Sequence, residues 1–354
     1  MKNSMPSTLR DLAKSQSNDY SALEKQFTAV TGQALVSYVP YPCTPTETLS
    51  VVLPSHNVPI SLQRTLMALE QQDYRGFEVI VVDDGSQPSL ETAVATVPVT
   101  YDLHYIRNQH NRDRSCARNI GITIASGQSI LILDPDMVPH SHALGLFAER
   151  QKLLHSAVLL GFRDPIDVAD YATFDRNILA KTHTPDYRKD WRYERQYNPS
   201  ITPPNYLGRA ETQPRVLRLL DETRNFKDLG KERIFGAWDL PSLILGHTIC
   251  LKRNYALQIG GFCEHFIGWG HDDIAFGLKA VAGGSFIIPL PACTSFHINH
   301  PPHSGTAAQK LTEFRQNRQR YIDMTNTTLS HHVFPKHAIH ALPSVGHTHR
   351  YEAV

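Results

Sequence analysis

The sequence has little that would mark it for a membrane, for secretion or for nucleic acid. No apolar run approaches the ~20 residues that a membrane-spanning helix needs, and no apolar core follows the lysine near the N-terminus. The 35 Lys and Arg nearly cancel the 34 Asp and Glu, so no net field gathers nucleic acid. We expect a cytoplasmic protein without a membrane span or a nucleic-acid partner, and peripheral contact with a membrane stays open.

Cysteine is also scarce. The chain has five, an odd number with no CxxC pair, namely Cys43, Cys116, Cys250, Cys263 and Cys293. This pattern argues against a disulfide framework and against a thiolate zinc site. We expect the cysteines to be reduced and mostly buried.

What the chain does have is an alternation of short β-branched runs and helical stretches. The runs occupy 49–53, 77–82, 101–106 and 129–133. Apolar residues recur at helical spacing between the first two runs and between the last two, which is typical of βαβ units. The pattern predicts an α/β fold, Rossmann-like, with a mostly parallel central sheet flanked by helices. The length of 354 residues permits one large domain or two small ones.

The remaining segments divide the chain further. We expect an N-terminal extension over 1–45 with an amphipathic helix around 20–30, and a nucleotide-binding half over 46–162. A polar, Tyr-, Arg- and Pro-rich segment over 163–240 is expected to face an acceptor. A second half follows over 241–305, and 306–354 should hold a helix and a flexible His-rich tail.

Polar residues follow each predicted strand. Ligands of open α/β sheets bind beyond the carboxyl ends of the strands, so these residues are expected to line one site. The residues are Pro54, Ser55 and Asn57 after the first strand, Asp83 and Asp84 after the second, Asn108 and Asn111 after the third, and Asp134 and Asp136 after the fourth.

Asp134 and Asp136 are candidate metal ligands. A nucleotide diphosphate needs a cation to bridge it to carboxylates, and Mn²⁺ or Mg²⁺ accepts such oxygen ligands. Turn or capping roles are the alternative for both residues, and for Asp84 this alternative is nearly even with binding of a ribose or a base. Arg118 opens a helix and could face a phosphate or only solvent.

A third cluster runs from Gly268 to Asp273. Its two carboxylates, Asp272 and Asp273, could simply cap the apolar helix that follows. The flanking glycines, however, allow a close approach of backbone to ligand, and Trp269 with Gly270 would form a platform for a sugar ring. A carboxylate here could be the base that takes a proton from an attacking hydroxyl.

Three histidines follow an apolar strand at three-residue spacing, His297, His300 and His303. A surface or hydrogen-bonded role is usual for a single histidine. Downstream of the aspartates, one imidazole would complete a mixed oxygen and nitrogen shell around Mn²⁺.

From Leu49 to about His303 the chain resembles the family 2 glycosyltransferases, which have the GT-A fold. The resemblance is carried by LSVVLPSHN, VIVVDDGS, ARNIGITIASGQSILILDPDMV and GGFCEHFIGWGHDD. The last segment is similar to one shared by β4-galactosyltransferases, polypeptide N-acetylgalactosaminyltransferases and bacterial chondroitin polymerases, in which an acidic pair follows WGG.

The resemblance implies a role for each matching residue. Asp84 would meet the uridine of a UDP-sugar donor, Trp269 the sugars, and Asp272 the acceptor, while Asp273 would be the base. Asp134 and Asp136 would hold the metal together with a histidine, His297 in preference to His300. Two departures, His271 for the second glycine of WGG and Asp272 for the usual glutamate, fall on the acceptor side.

The implied activity is inverting, metal-dependent transfer of a hexose or N-acetylhexosamine to the hydroxyl of a carbohydrate, lipid-linked, peptide or small-molecule acceptor. A retaining transferase on the same fold is the nearest alternative. A nucleotidyltransferase would need a Gly-rich basic loop after the first strand, where PSHNVPISLQR stands. A carbohydrate-binding protein without turnover is a non-enzymatic alternative, against which the intact acidic pairs argue.

Overall fold

The computed structural model describes residues 7–15, 21–32, 46–154, 156–190, 241–300, 306–345 and 348–353. Its helices are α1 Leu9–Ser15, α2 Ser21–Thr31, α3 Pro59–Glu70, α4 Glu91–Ala95, α5 Asp113–Ile124, α6 Ala143–Leu153, α7 Tyr171–Leu179, α8 Arg253–Gln258, α9 Asp272–Ala282 and α10 Ala307–Met324. Its strands are β1 Leu49–Ser55, β2 Phe77–Asp83, β3 Asp102–Asn108, β4 Ser129–Leu133, β5 Met137–Pro139, β6 Ala157–Ile166, β7 Thr248–Lys252, β8 Phe286–Ile298, β9 Ile339–Val345 and β10 Thr348–Ala353.

All ten strands form one sheet in the order β5-β8-β6-β7-β4-β1-β2-β3-β10-β9. The centre, from β4 through β1 and β2 to β3, is parallel as predicted. Its strands are buried almost throughout, which explains why their sequences are continuous apolar runs. On the other side β7 is antiparallel to both β4 and β6. The predicted α/β fold is confirmed, and its sheet is mixed outside the parallel centre.

The two predicted crossover helices are α3 and α5, and α5 packs on β1 and β2. The predicted N-terminal helix is α2, whose Phe27 is buried in the main core. Most of the segment that was expected to face an acceptor, residues 191–240, lies outside the described residues.

The C-terminal segment differs from the expected flexible tail. Strands β9 and β10 form an antiparallel pair, and β10 pairs in parallel with β3. His349 of β10 stacks on His104 of β3, with 4.9 Å between the ring centroids. The edge of the parallel sheet is therefore covered by the end of the chain, which removes an open row of backbone donors and acceptors.

Cys116, Cys250 and Cys293 are buried, Cys263 is partly buried, and all four are unpaired, as predicted; Cys43 is not among the described residues. Within the described ranges no helix has both the length and the apolar character needed to cross a bilayer.

Candidate functional site

A cleft of about 430 Å³ opens at the carboxyl ends of the parallel strands. This volume lies in the range of small-ligand sites. Ten predicted site residues line it, namely Pro54, Ser55, Asp84, Asn111, Arg118, Asp134, Asp136, Trp269, His297 and His300. The strand-end prediction therefore led to one cleft.

The two aspartates after β2 have different positions. Asp83 is fully buried, and its carboxylate accepts hydrogen bonds from Ser86 N at 2.9 Å and Tyr105 OH at 2.6 Å. Asp84 lies at the cleft, where burial raises its pKa although Asn108 Nδ2 donates to its Oδ1 at 2.6 Å. Asp83 therefore holds the turn after β2. Asp84, which also accepts from Arg112 N at 2.9 Å, lies at the cleft and stays a candidate for binding a ligand.

Asn57 is not among the residues that line the cleft. Its backbone is left-handed, with φ 56°, and its N–H donates to Ser86 Oγ at 2.9 Å. Its Oδ1 accepts from Gln87 N at 2.9 Å. Asn57 therefore holds two strand-end loops together.

Three of the predicted metal ligands, Asp136, His297 and His300, meet because β5 turns back from the aspartate pair and runs antiparallel to the end of β8. Asp134 is not part of this group and instead lies next to Arg118. Met137 pairs with His297 in this register, and Ile298 N donates to Asp136 O at 3.0 Å. His300 Nε2 then lies 3.0 Å and His297 Nε2 3.4 Å from Asp136 Oδ2. Both histidines reach Asp136, whereas His303 lies outside the described residues.

The surroundings of Asp136 favour its ionised form, in which a carboxylate can bind a cation. Burial acts to raise its pKa, but the hydrogen bond with His300 and the nearby His297 outweigh burial and lower it. Its Oδ1 is buried and makes no hydrogen bond within the described part of the chain. One ligand atom from each of the three residues lies within 4.8 Å of the others. This donor set fits a divalent cation such as Mn²⁺.

Arg118 connects the two halves of the site. Its Nη2 lies 3.4 Å from Asp134 Oδ1, and its Nη1 donates to Asp272 Oδ2 at 2.8 Å. The guanidinium fits there because residue 246 is glycine, since a Cβ at that position would overlap it. Burial raises the pKa of Asp134, and Arg118 acts against this rise.

The pKa values of the two carboxylates at the start of α9 are shifted in opposite directions. For Asp272, burial is outweighed by the positive charges of Arg114 and Arg118, and the pKa is lowered. For Asp273, burial and the neighbouring Asp272 raise the pKa to about 6. Asp273 accepts from Gly246 N at 3.1 Å. A carboxylate with this pKa is suited to take up a proton near neutral pH.

The loop of Trp269 is supported by α10. Trp269 N donates to Glu313 Oε2 at 2.9 Å, and Asn317 Nδ2 donates to the carbonyls of Ile267 at 3.0 Å and Trp269 at 3.3 Å. The indole is 45% exposed and lines the cleft. Gly270 has φ 98°, which a side chain would strain.

Several cleft residues were not predicted from the sequence. Arg114 and Arg163 add positive charge, and Lys310 and Glu313 of α10 extend the cleft toward Trp269. Arg114 stands one turn before Arg118, and this spacing on a predicted helix was a usable signal. For Arg163, Lys310 and Glu313 the sequence pattern holds no comparable signal.

Comparison with known proteins agrees with this architecture. The sequence model of Glycosyl transferase family 2 matches residues 50–211. Chondroitin synthase of Pasteurella multocida is 28% identical over 269 residues, which cover 72% of this chain and 25% of that protein. Validoxylamine A glucosyltransferase of Streptomyces hygroscopicus subsp. jinggangensis is 25% identical over 280 residues, covering 77% of this chain and 60% of that protein.

Among solved structures, GalNAc-T7 with UDP, GalNAc and Mn²⁺ has a TM-score of 0.51 at 16% identity, over 80% of this chain and 48% of that one. This similarity shows a shared fold. The chain spans between 25% and 35% of the length of the first chondroitin and hyaluronan synthases that it matches. The family match over residues 50–211, these relatives and the common fold support a family 2 glycosyltransferase with the GT-A fold.

Proposed function

We propose that this chain is a metal-dependent, inverting glycosyltransferase that moves a hexose or an N-acetylhexosamine from a UDP-sugar to an acceptor hydroxyl. The observation that supports this most directly is the bridge made by Arg118. One guanidinium joins Asp134, on the side of the predicted metal, to Asp272 in the acidic pair. In this proposal the bridge would join a donor-side group to an acceptor-side group of one active site.

In this proposal the donor lies at the carboxyl edge of the parallel strands. Asp84 would accept hydrogen bonds from the uracil or ribose, and Arg114 and Arg118 would compensate the diphosphate charge. Asp136, His297 and His300 would hold the cation, helped by Asp134. When bound, a divalent cation supplies charge stabilisation to the departing diphosphate.

The acceptor is proposed to lie against Trp269. The exposed indole offers an apolar face to one side of a sugar ring, and Asp272 would orient the acceptor. Asp273 would take the proton of the attacking hydroxyl, because its raised pKa of about 6 leaves it ionised yet basic near neutral pH. We propose a carbohydrate acceptor, with lipid-linked, peptide and small-molecule acceptors as alternatives.

The proposal is tested first by donor binding. A panel of nucleotide-sugars is added with and without Mn²⁺, and the melting temperature is measured, since a ligand that binds only the native state raises it. We expect a rise for a UDP-sugar that needs Mn²⁺ and is lost in Asp136→Ala. Asp102→Ala is the matched control, because Asp102 is exposed at the amino end of β3, opposite the cleft.

Product analysis tests the mechanism. Proton NMR of the product, recorded with the donor identified in this way, gives the configuration of the new glycosidic bond. An inverted anomeric centre is expected. Retention of configuration would contradict the role of Asp273, and equal response to all nucleotides without metal would contradict the proposed donor site.

A further inference from the structure

A second cluster of metal-ligating side chains lies outside the cleft. The Sγ of Cys116, a carboxylate oxygen of Glu264 and a ring nitrogen of His337 all lie within 4.8 Å of one another. They come from three separate parts of the chain, namely α5, the loop between α8 and α9, and the segment before β9. None of the three residues lines the cleft.

The histidine of this cluster has a buried side chain whose contact is another candidate ligand. The His337 side chain is only 2% exposed, and its Nε2 lies 3.0 Å from Glu264 Oε1. Apart from this ion-pair contact, neither ring nitrogen has a hydrogen-bond partner in the described ranges. Buried imidazole nitrogens nearly always have a partner, so the nitrogen without one leaves this group of ligand atoms only partly satisfied, as it would be around a cation.

We propose that Cys116, Glu264 and His337 form a zinc site, distinct from the cation site of Asp136, His297 and His300. Sulfur, imidazole and carboxylate are the ligands that Zn²⁺ accepts, and a thiolate disfavours Mg²⁺ and Mn²⁺. Asn119 donates from Nδ2 to Glu264 Oε1 at 2.8 Å and so orients the carboxylate, as outer groups do around zinc ligands.

The protonation states of the free ligands determine how many protons are released when metal binds. Burial, and to a lesser extent the charge of Glu264, raises the pKa of the Cys116 thiol to about 12, so the thiol is protonated before metal binds. The Glu264 carboxylate is ionised, because His337 and Asn119 outweigh the effect of burial and lower its pKa. Binding therefore breaks the S–H bond, forms a sulfur–zinc bond and releases one proton to solvent.

The absence of a CxxC pair excludes a zinc site built from two cysteines that are close in sequence. It does not exclude a site whose ligands come from distant segments. Here the sheet and the C-terminal segment bring single ligands together. Gly261 lies against the Phe334 ring, and a side chain at 261 would overlap both Phe334 and Asn119. A metal at this point would fasten the C-terminal segment to α5 and to the loop that leads to Trp269.

Cobalt is the probe of choice, because a thiolate ligand gives Co²⁺ an intense near-ultraviolet charge-transfer band that oxygen and nitrogen ligands lack. The full chain, stripped of metal by a chelator and kept reduced, is titrated with Co²⁺. We expect the band to saturate at one Co²⁺ per chain and to disappear when Zn²⁺ is added. A wild-type chain that shows no such band overturns the proposal, whatever the variants do.

Variants identify the ligands. Cys116→Ser and His337→Ala should lose the band or need at least about tenfold more Co²⁺ to reach it. Cys263→Ser is the matched control and should keep it, as should Asp136→Ala, which alters only the other cation site. Circular dichroism of the metal-free variants checks folding. A band that survives Cys116→Ser and is lost in Cys263→Ser would assign the sulfur elsewhere and refute the site.

Discussion

Replacing Asp273 with asparagine should stop transfer and at the same time stabilise the protein. The raised pKa means that ionisation of Asp273 is less favourable in the folded chain than in the unfolded one. A shift from the ordinary value of 3.8 to about 6 corresponds to a cost of roughly 3 kcal/mol at neutral pH. Asparagine removes the charge but keeps only one acceptor oxygen for Gly246 N and Ile274 N, which donate to different oxygens of Asp273, so the gain in stability should be smaller, about 1–2 kcal/mol.

The pH dependence gives the sign of this effect. Below a pH of about 4 Asp273 is protonated in both states, so the wild type and Asp273→Asn should be equally stable with respect to this group. As the pH rises through the window from 3.8 to about 6, the wild type loses stability relative to the variant. Above this pH window the difference in stability between the two proteins stays constant.

Urea unfolding of both proteins, followed by tryptophan fluorescence between about pH 4 and pH 8, measures the difference. Asp272→Asn is the control with opposite sign: its lowered pKa stabilises the ionised, folded form, so the variant should be less stable, and its deficit should stay constant over this range and shrink only below pH 3.8. A gain for Asp273→Asn that does not vary with pH would refute the assigned shift.

Turnover should depend on the ionisation of Asp273. We expect Asp273→Asn to lower kcat by about 10²–10⁴-fold, the usual contribution of a general base. The wild type should lose kcat as the pH falls below about 6, where Asp273 becomes protonated. A kcat that is unchanged in the variant would show that another group takes the proton.

Three further outcomes are expected. Gly246→Ala should displace Arg118 from the acidic pair and lower kcat at least about tenfold, measured with saturating donor, while Gly145→Ala, where an added Cβ would make only an ordinary van der Waals contact with Tyr74, should leave kcat unchanged. Trp269→Ala should raise the acceptor KM more than the donor KM. Trp269→Phe should raise the acceptor KM less than Trp269→Ala does, because an aromatic face is retained. Asp83→Asn should cost about 1–3 kcal/mol of stability in urea unfolding, since a buried carboxylate that accepts several hydrogen bonds is replaced.

The sequence predicted the parallel centre of the sheet because burial on both faces leaves continuous apolar runs that are easy to recognise. It predicted Asp84 and Asp136 because strand ends of a parallel sheet share one edge. It favoured His297 over His300, whereas in the structure both reach Asp136, since their distance to it depends on the pairing of β5 with β8. The roles of Gly246 and Glu313 likewise depend on contacts that form only when distant segments pack.

The support of the Trp269 loop by α10 has a consequence for how this enzyme could diversify. The family match ends at residue 211, while Glu313 and Asn317, which hold the indole loop, stand about a hundred residues further on. Changes in α10 can therefore tilt or reshape the acceptor platform while the carboxylates, the histidines and Arg118 stay as they are. If Trp269 binds the acceptor as proposed, acceptor preference can evolve, or be engineered, from one surface helix that contributes no residue to the proposed cation site or to the acidic pair.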